Sequence, residues 1–272
     1  MHVLLTCLAI YVGVCLAVLL LSIASREFSW VDRIWSVIPI VYVGIFADQA
    51  GFADARLDVM FGLVVLWGLR LTFNFARKGG YAAGGEDYRW AVLRGRMKPW
   101  QFQLFNVGFI TLYQNAILLL ITLPAYTALR HRGSFGPLDV LFTVLFLVFL
   151  AGETVADQQQ WNFQQRKKAV IASGQEPEQR FVQSGLFRYS RHPNFFCELA
   201  QWWVVFAFGA VAAGSVGQWT VAGAVLLTAL FAGSTSFTES ISRDRYPEYA
   251  DYQRSTSAVV PWFPRAKATR PH

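Results

Sequence analysis

The stretch GLFRYSRHPNFFCE, residues 185–198, places Arg188, Arg191, His192, Asn194 and Glu198 just before and within the start of a long apolar run. Guanidinium forks match the oxygens of a phosphate, and an amide beside a carboxylate hydrogen-bonds the hydroxyls of a ribose or another amide. Pro193 suits the first turn of a helix, where its missing N–H costs nothing. From that start Asn194 and Glu198 stand one turn apart on one face, and Gln201 follows on it. The two arginines have a second reading, as an inner-side topology signal contacting lipid head groups. Glu198 demands more, because a carboxylate opening an apolar span is costly unless a cation or a ligand donor meets it.

The same logic applies at the end of the preceding apolar run, AGETVADQQQ, where Glu153 and Asp157 are one turn apart and the chain continues into Arg166, Lys167 and Lys168. Acidic groups at that depth face a bundle interior or a wet cavity, so either a cofactor hydroxyl or a basic residue of the adjoining loop partners Asp157. In the carboxyl-terminal tail Glu239 and Arg243 have i, i+4 spacing, so Arg243 is read either as a phosphate ligand or as the intrahelical partner of Glu239. Pro261-Trp262-Phe263-Pro264 is suited to anchoring at a membrane interface. Nearer the amino terminus Asp32 enters the second apolar run, Arg70 and Asn74 lie one turn apart, and Tyr113-Gln114-Asn115 is a polar patch within the fourth. The loop from Lys78 to Arg89 has two Gly pairs but follows an apolar helix, which is the wrong context for a dinucleotide or P-loop turn. We read it as a flexible loop.

These groups need elements to position them, and the composition says which. Of 272 residues, 54% are hydrophobic and only 15% charged, with 23 Phe, 10 Trp and 10 Tyr. That is too much apolar surface for one soluble core, and the charges are gathered into loops, which excludes a disordered chain or a coiled coil. The expectation is an all-α integral membrane protein, a single transmembrane domain over residues 1–272. Crossing roughly 30 Å of hydrocarbon takes about 20 helical residues, and seven segments qualify: 3 to 24, 34 to 53, 57 to 76, 103 to 126, 138 to 157, 195 to 214 and 217 to 238. The first lacks a basic n-region and reads as a retained helix. Segments 25–33, 77–102, 158–194 and 239–272 hold 20 Lys and Arg, against Arg56, Arg130 and Arg132 on the other side. The positive-inside rule then puts those four segments and the carboxyl terminus in the cytoplasm and the amino terminus outside. This distribution accounts for the net charge of +7 without nucleic-acid binding.

Cys7, Cys15 and Cys197 form no CxxC pattern or disulfide framework, and His2, His131, His192 and His272 are scattered. Neither a disulfide nor a protein-bound catalytic metal is expected, so an organic cofactor is the better-supported carrier of chemistry.

The pattern GLFRYSRHPNFFCE, preceded by the ADQQ span end and followed by RDRYPEYADYQ, resembles the steroid 5-alpha-reductase-like membrane family (the DUF1295 group). It is more remotely similar to the eukaryotic steroid 5-alpha-reductases and the sterol C14/C7 reductases. The resemblance covers most of the chain and is strongest from about 150 to 264. It implies a bundle of about seven helices whose cytoplasmic loops form a pocket for NADPH, in a bacterial inner membrane, reducing a carbon–carbon double bond of a lipophilic enone. On this resemblance Asp157, Asn194 and Glu198 match cofactor-contacting positions. Arg188, Arg191, His192 and Arg243 fall in the family's phosphate- and ribose-contacting segments, and the charge of a dinucleotide, apart from the resemblance, adds Lys167 as a further phosphate cation. Asp32 stands about where animal enzymes keep a glutamate that holds the substrate carbonyl, and Gln114 matches a fourth-span glutamine; Tyr88, from the loop, is an alternative acid on chemical grounds and not by the resemblance. Trp67 falls near the place of a carbonyl-polarising tyrosine, and Cys197 stands where many relatives carry Gly. The wider superfamily includes isoprenylcysteine carboxyl methyltransferases, which share an RHPxYxxE-like element, so an S-adenosylmethionine-dependent methyltransferase of a lipid or prenylated acceptor is the second reading. A third is a membrane component without enzymatic activity, for which the internal half-repeats of a small transporter are missing.

Overall fold

The computed structural model describes residues 2–265. His272, and Lys267 and Arg270 from the count of inner basic residues, lie outside them. No strand occurs among the described residues. Seven helical segments are long and apolar enough to span a membrane: His2–Ser25, Trp30–Gln49, Ala55–Arg77, Pro99–Arg130, Pro137–Ala172, Pro193–Ala213 and Val221–Arg245. The chain is thus an all-helical membrane bundle with the seven spans that its hydropathy predicts. Large apolar side chains left exposed along the first span, such as Leu5, Leu8, Leu16 and Leu20, are what a helix facing lipid tails presents.

The seventh span lies further along the chain than its expected 217 to 238, at Val221–Arg245, and three others differ from their expected extents, each for a local reason. The second is two helices, Trp30–Ile34 and Ile38–Gln49, because Pro39 cannot continue a helix through its missing N–H and restarts one at the second helical position. The fourth is longer and broken: Pro99–Phe105 is α-helical, Asn106–Tyr113 is a π-helix, and Gln114–Leu120 returns to α before a turn at Ile121 and Thr122, after which Leu123–Arg130 completes the span with Pro124 in its first turn. The fifth runs from Pro137 to Ala172, 36 residues, a length of roughly 54 Å at 1.5 Å per residue. It overshoots the bilayer because Gln158–Lys168 are good helix formers with no Gly or Pro to stop them, and Gly174 at φ +77° ends it.

The described chain packs as two units. Over the described residues, unit 1 comprises residues 2–145 and Trp202–Leu227, and unit 2 comprises Phe146–Gln201 and residues 228–265. Within unit 1, small residues bring helices together. A Cβ at Gly68 would lie 2.4 Å from Ser36 O, one at Gly209 2.8 Å from Pro124 O, and one at Gly223 2.4 Å from Leu120 O. Ser36 and Thr72 hydroxyls share a 2.7 Å hydrogen bond beside the first of these crossings. Trp67, fully buried, meets Trp202 edge-on at 4.8 Å. At the start of the third span Asp54 accepts the N–H groups of Arg56 and Leu57 at 3.1 Å each. Arg56 in turn holds Asp139 through two hydrogen bonds, 2.6 and 2.9 Å. That ion pair is buried and carries Ser134 O and Gly136 N–H as further partners, the saturation that a charge pair removed from water requires.

Candidate functional site

Unit 2 holds the polar groups singled out in the last third of the chain. The fifth span contributes Glu153 and Asp157, and the sixth contributes Asn194, Glu198 and Gln201 at helical spacing. All but Asn194 are buried. Asn194 Nδ2 donates to Asp157 Oδ1 at 3.4 Å, and Gln201 Nε2 donates to Glu153 Oε2 at 2.7 Å and to Cys197 O at 3.1 Å. The partner of Asp157 here is an amide of the sixth span. Close approach of the two helices comes from Gly152, where a Cβ would sit 3.0 Å from Cys197 Sγ. Gln201 is fully buried and its Oε1 has no hydrogen-bond partner, an exception to the pairing usual for buried polar atoms.

Arg191 and His192 sit at the entrance to the sixth span in a different role. Arg191 grips Glu239 with Nε at 2.6 Å and Nη2 at 2.9 Å, while Nη1 donates to Gln253 O at 3.0 Å and to Thr256 O. Glu239 is further met by His192 Nε2 at 3.1 Å and Gln253 Nε2 at 2.8 Å. The backbone N–H groups of Arg191 and His192 donate to Ser257 O and Ala258 O at 2.9 and 3.0 Å. The guanidinium is thereby filled by protein acceptors, and the node fastens the tail to the start of the sixth span. Glu239, which the spacing paired with Arg243, pairs instead with Arg191, 48 positions away. Only tertiary packing brings those two together.

The remaining cations of unit 2 are at its surface. Arg188 and Arg243 are exposed. Lys167 Nζ donates to Arg180 O at 2.5 Å and to Tyr246 OH at 3.1 Å, and lies 4.9 Å from the Tyr246 ring centre. An aromatic cluster supports this region: Phe181 packs on Tyr249 at 4.9 Å and on Tyr252 at 5.6 Å. Burial raises the phenol pKa of both tyrosines above the ordinary value, with the Glu239 charge adding for Tyr249 and Tyr249 itself adding for Tyr252. Tyr252 OH donates to Phe187 O. Gln159 Oε1 accepts the N–H of Leu186 at 2.9 Å beneath Gly185, whose φ of +63° and contact with that side chain leave no room for a Cβ.

The three residues proposed for substrate chemistry lie in unit 1. Asp32 is half-buried and its Oδ2 accepts the Trp90 indole N–H at 3.1 Å. Tyr88 opens the helix Tyr88–Arg96 and is exposed. Gln114 is buried at the junction where the π-helix of the fourth span returns to α. The glycine loop is tied down, contrary to the flexible loop expected. Gly84 N–H donates to Glu27 Oε1 at 3.0 Å, Arg33 pairs with Glu27 at 2.6 Å, Phe28 N–H donates to Glu86 at 2.7 Å, and Asp87 N–H donates to Ser29 Oγ at 3.0 Å. The Gly84 N–H, and next the Arg33 guanidinium, hold the Glu27 carboxyl below the usual carboxylate range. Arg89, although desolvation opposes its charge, keeps a raised pKa through the Asp87 carboxylate that it contacts at 2.7 Å.

Sequence reasoning picked out Asn115 but missed Asn106 and Thr111, which extend it into a polar seam in unit 1. Asn106, Thr111 and Asn115 are all buried on the fourth span, and Asn106 Oδ1, Thr111 Oγ1 and Asn115 Oδ1 lack hydrogen-bond partners. Asn106 Nδ2 donates to Ser22 Oγ at 3.3 Å, Cys15 Sγ to Thr111 O at 3.5 Å, and Asn115 Nδ2 to Thr111 O at 2.7 Å. The span is wound as a π-helix over Asn106–Tyr113, and within it Thr111 O receives both the Cys15 thiol and the Asn115 amide. The signal was present in the asparagines within an apolar run; the π register was not. No group of three or more His, Cys, Asp or Glu suited to a metal ion occurs among the described residues.

Comparison with known proteins yields a family. The model of a protein family of unknown function, DUF1295, matches residues 18–256, and the chain belongs to that family. A protein of the fission yeast Schizosaccharomyces pombe, itself described as uncharacterised, is 36% identical over 259 residues, which cover 90% of this chain and 74% of the relative. No solved structure matches the chain.

Proposed function

We propose that this member of the DUF1295 family is an integral-membrane reductase that uses NADPH to saturate a carbon–carbon double bond in a lipophilic enone. The observation that carries the proposal is the buried row in unit 2. Two carboxylates of the fifth span are bonded to two amides of the sixth, beside Glu198, and Gln201 Oε1 is left as an acceptor without a donor. In apolar surroundings such a row is expensive unless a ligand completes it. The donor set fits a dinucleotide. Gln201 Oε1 is an acceptor for a carboxamide or ribose hydroxyl, Asp157 and Glu198 are acceptors for further hydroxyls, and Arg188, Arg243 and Lys167 are cations for phosphates.

NADPH supplies a hydride when bound. The residues of this chain bind it, orient it and keep water from the apolar surroundings of the transfer. Arg191 and His192, held to Glu239, act as positioning residues that fix where the sixth span begins and thus where Asn194 and Glu198 point. Asp32, held by the Trp90 indole, and Tyr88 are the proposed groups for polarising the substrate carbonyl, with Gln114 as a further polar contact. Substrate reaches such an enzyme by partition from the lipid. The excess of basic loops supports a cytoplasmic carboxyl terminus and an outer amino terminus, which would open the cofactor site to the cytosol.

The test is binding of radiolabelled NADPH and S-adenosylmethionine to the purified full-length protein in detergent. NADPH is expected to bind, and Glu198→Gln and Asn194→Ala are expected to abolish that binding while leaving the melting temperature in place. Unchanged affinity would remove both residues from the site. Binding of S-adenosylmethionine alone would replace the reductase with a methyltransferase, and binding of neither would end the enzymatic reading.

A further inference from the structure

Unit 2 also contains a cavity that the proposed reductase chemistry does not use. After the short helix Tyr249–Ser255 the chain doubles back, with Trp262 N–H donating to Tyr189 O at 2.9 Å and Arg265 N–H to Ser255 O at 2.8 Å. The turn shapes a hollow of about 260 Å³, open to one side, walled by residues that include Arg254, Ser255, Ser257, Trp262, Phe263 and Arg265. Ser255 and Ser257 turn their hydroxyl protons back to Tyr252 O at 3.3 Å and Tyr189 O at 3.1 Å, so the cationic donors that face a ligand are the guanidinium groups of Arg254 and Arg265, with the Trp262 indole N–H beside them. Arg191 also borders the cavity, but Glu239 and the tail carbonyls already occupy it. Arg254 pairs with Asp251, and both side chains are more than half exposed. Such a pair contributes little in water and yields readily to a stronger anion.

The rim has the opposite character. Trp262 is 70% and Phe263 76% exposed, with Val260 at 63% just before them. Three large apolar side chains beside two cations form a surface for a ligand with a charged end and an apolar end. Indole and phenyl rings settle at the level of lipid head groups, and Arg near a membrane surface draws anionic lipid.

We propose that this cavity binds the headgroup of an anionic phospholipid, with the phosphate diester between Arg254 and Arg265 and the glycerol and upper acyl chains against Trp262 and Phe263. A free phosphate would leave the aromatic rim unused, and a zwitterionic headgroup would bring a second cation beside two guanidinium groups. The tail is thereby a lipid-tethered strap on the same turn that Arg191 and Glu239 hold from the other side.

Native mass spectrometry of the full-length protein, titrated in neutral detergent with short-chain phosphatidylglycerol, phosphatidylcholine, inorganic phosphate or NADPH, tests this. The expected result is one retained phosphatidylglycerol that Arg254→Gln/Arg265→Gln loses. The apparent dissociation constant should rise roughly 30-fold, the value of two surface cations. Arg254→Lys/Arg265→Lys should keep that lipid, and Trp262→Ala should weaken it. Equal retention of phosphatidylcholine, an unchanged count in the Gln variant, or competition by inorganic phosphate at equal concentration would each overturn the proposal. Displacement of the lipid by NADPH would give the cavity to the dinucleotide instead. Because both arginines are at the surface, the Gln variant should melt with the wild type; if it does not, the Lys variant and Trp262→Ala still decide.

Discussion

At the scale of single residues, the centre of unit 2 is the four-way contact of Glu239 with Arg191, His192 and Gln253. Both partners of its ion pair are about nine-tenths buried, where removing one member strands the other in a medium that solvates it poorly. Arg191→Met is therefore expected to cost about 3–5 kcal/mol, read as lower thermal stability of the detergent-purified protein. Arg191→Met combined with Glu239→Gln should recover part of that loss, because the stranded charge disappears with its partner. A double variant as unstable as the sum of the two singles would mean that the pair is not the unit we describe. His192 and Arg191 stood out in the sequence, but their partner did not, since 48 positions separate it from Arg191 and a nearer arginine had the right helical spacing.

At the scale of elements, the fourth span shows what hydropathy leaves out. Its length and apolar character were plain, yet the π register between Asn106 and Tyr113 left no mark in hydropathy. Thr111 Oγ1 is buried without a partner there, so the hydroxyl costs free energy that an isosteric methyl does not. Thr111→Val is expected to leave thermal stability unchanged or to raise it by up to about 1–3 kcal/mol, the cost of an unsatisfied buried group. A clear loss of stability would show that this oxygen has a partner in the membrane-embedded protein. The glycine loop argues the same way. Its Gly pairs read as flexibility, whereas Gly79 and Gly84 have φ of +83° and +74° and a Cβ at Gly85 would lie 2.1 Å from Gly79 O. These glycines allow a tight turn that the acidic residues Glu27 and Glu86 then pin.

At the scale of the whole molecule, the fifth, sixth and seventh spans each contribute one end to unit 1 and the other to unit 2. Unit 2 relies on its aromatic cluster, and Tyr249 and Tyr252 give it a pH dependence. Their pKa values are raised in the folded chain above the ordinary 10.0. The stability they contribute is thus complete below that value and is lost as pH climbs through the folded pKa. Lysines also titrate near there, so the readout is the difference between variants. Melting temperature followed over about pH 8 to 12 should fall less steeply on the alkaline side for Tyr249→Phe than for the wild type. Parallel alkaline limbs would remove Tyr249 as a source of the loss.

Composition and hydropathy alone determined that the chain is a seven-span helical membrane protein, because burying that much apolar surface in hydrocarbon needs no knowledge of neighbours. The spacing of Glu153, Asp157, Asn194, Glu198 and Gln201 likewise placed them on particular helical faces, since the 3.6-residue repeat is local. The tertiary structure decided which of these groups satisfy one another. Asp157 takes Asn194, Glu153 takes Gln201, Arg191 takes Glu239, and Gln201 Oε1 is left over. Hydrogen-bond satisfaction is a property of groups meeting across separate helices, and neither composition nor periodicity records which helix faces which.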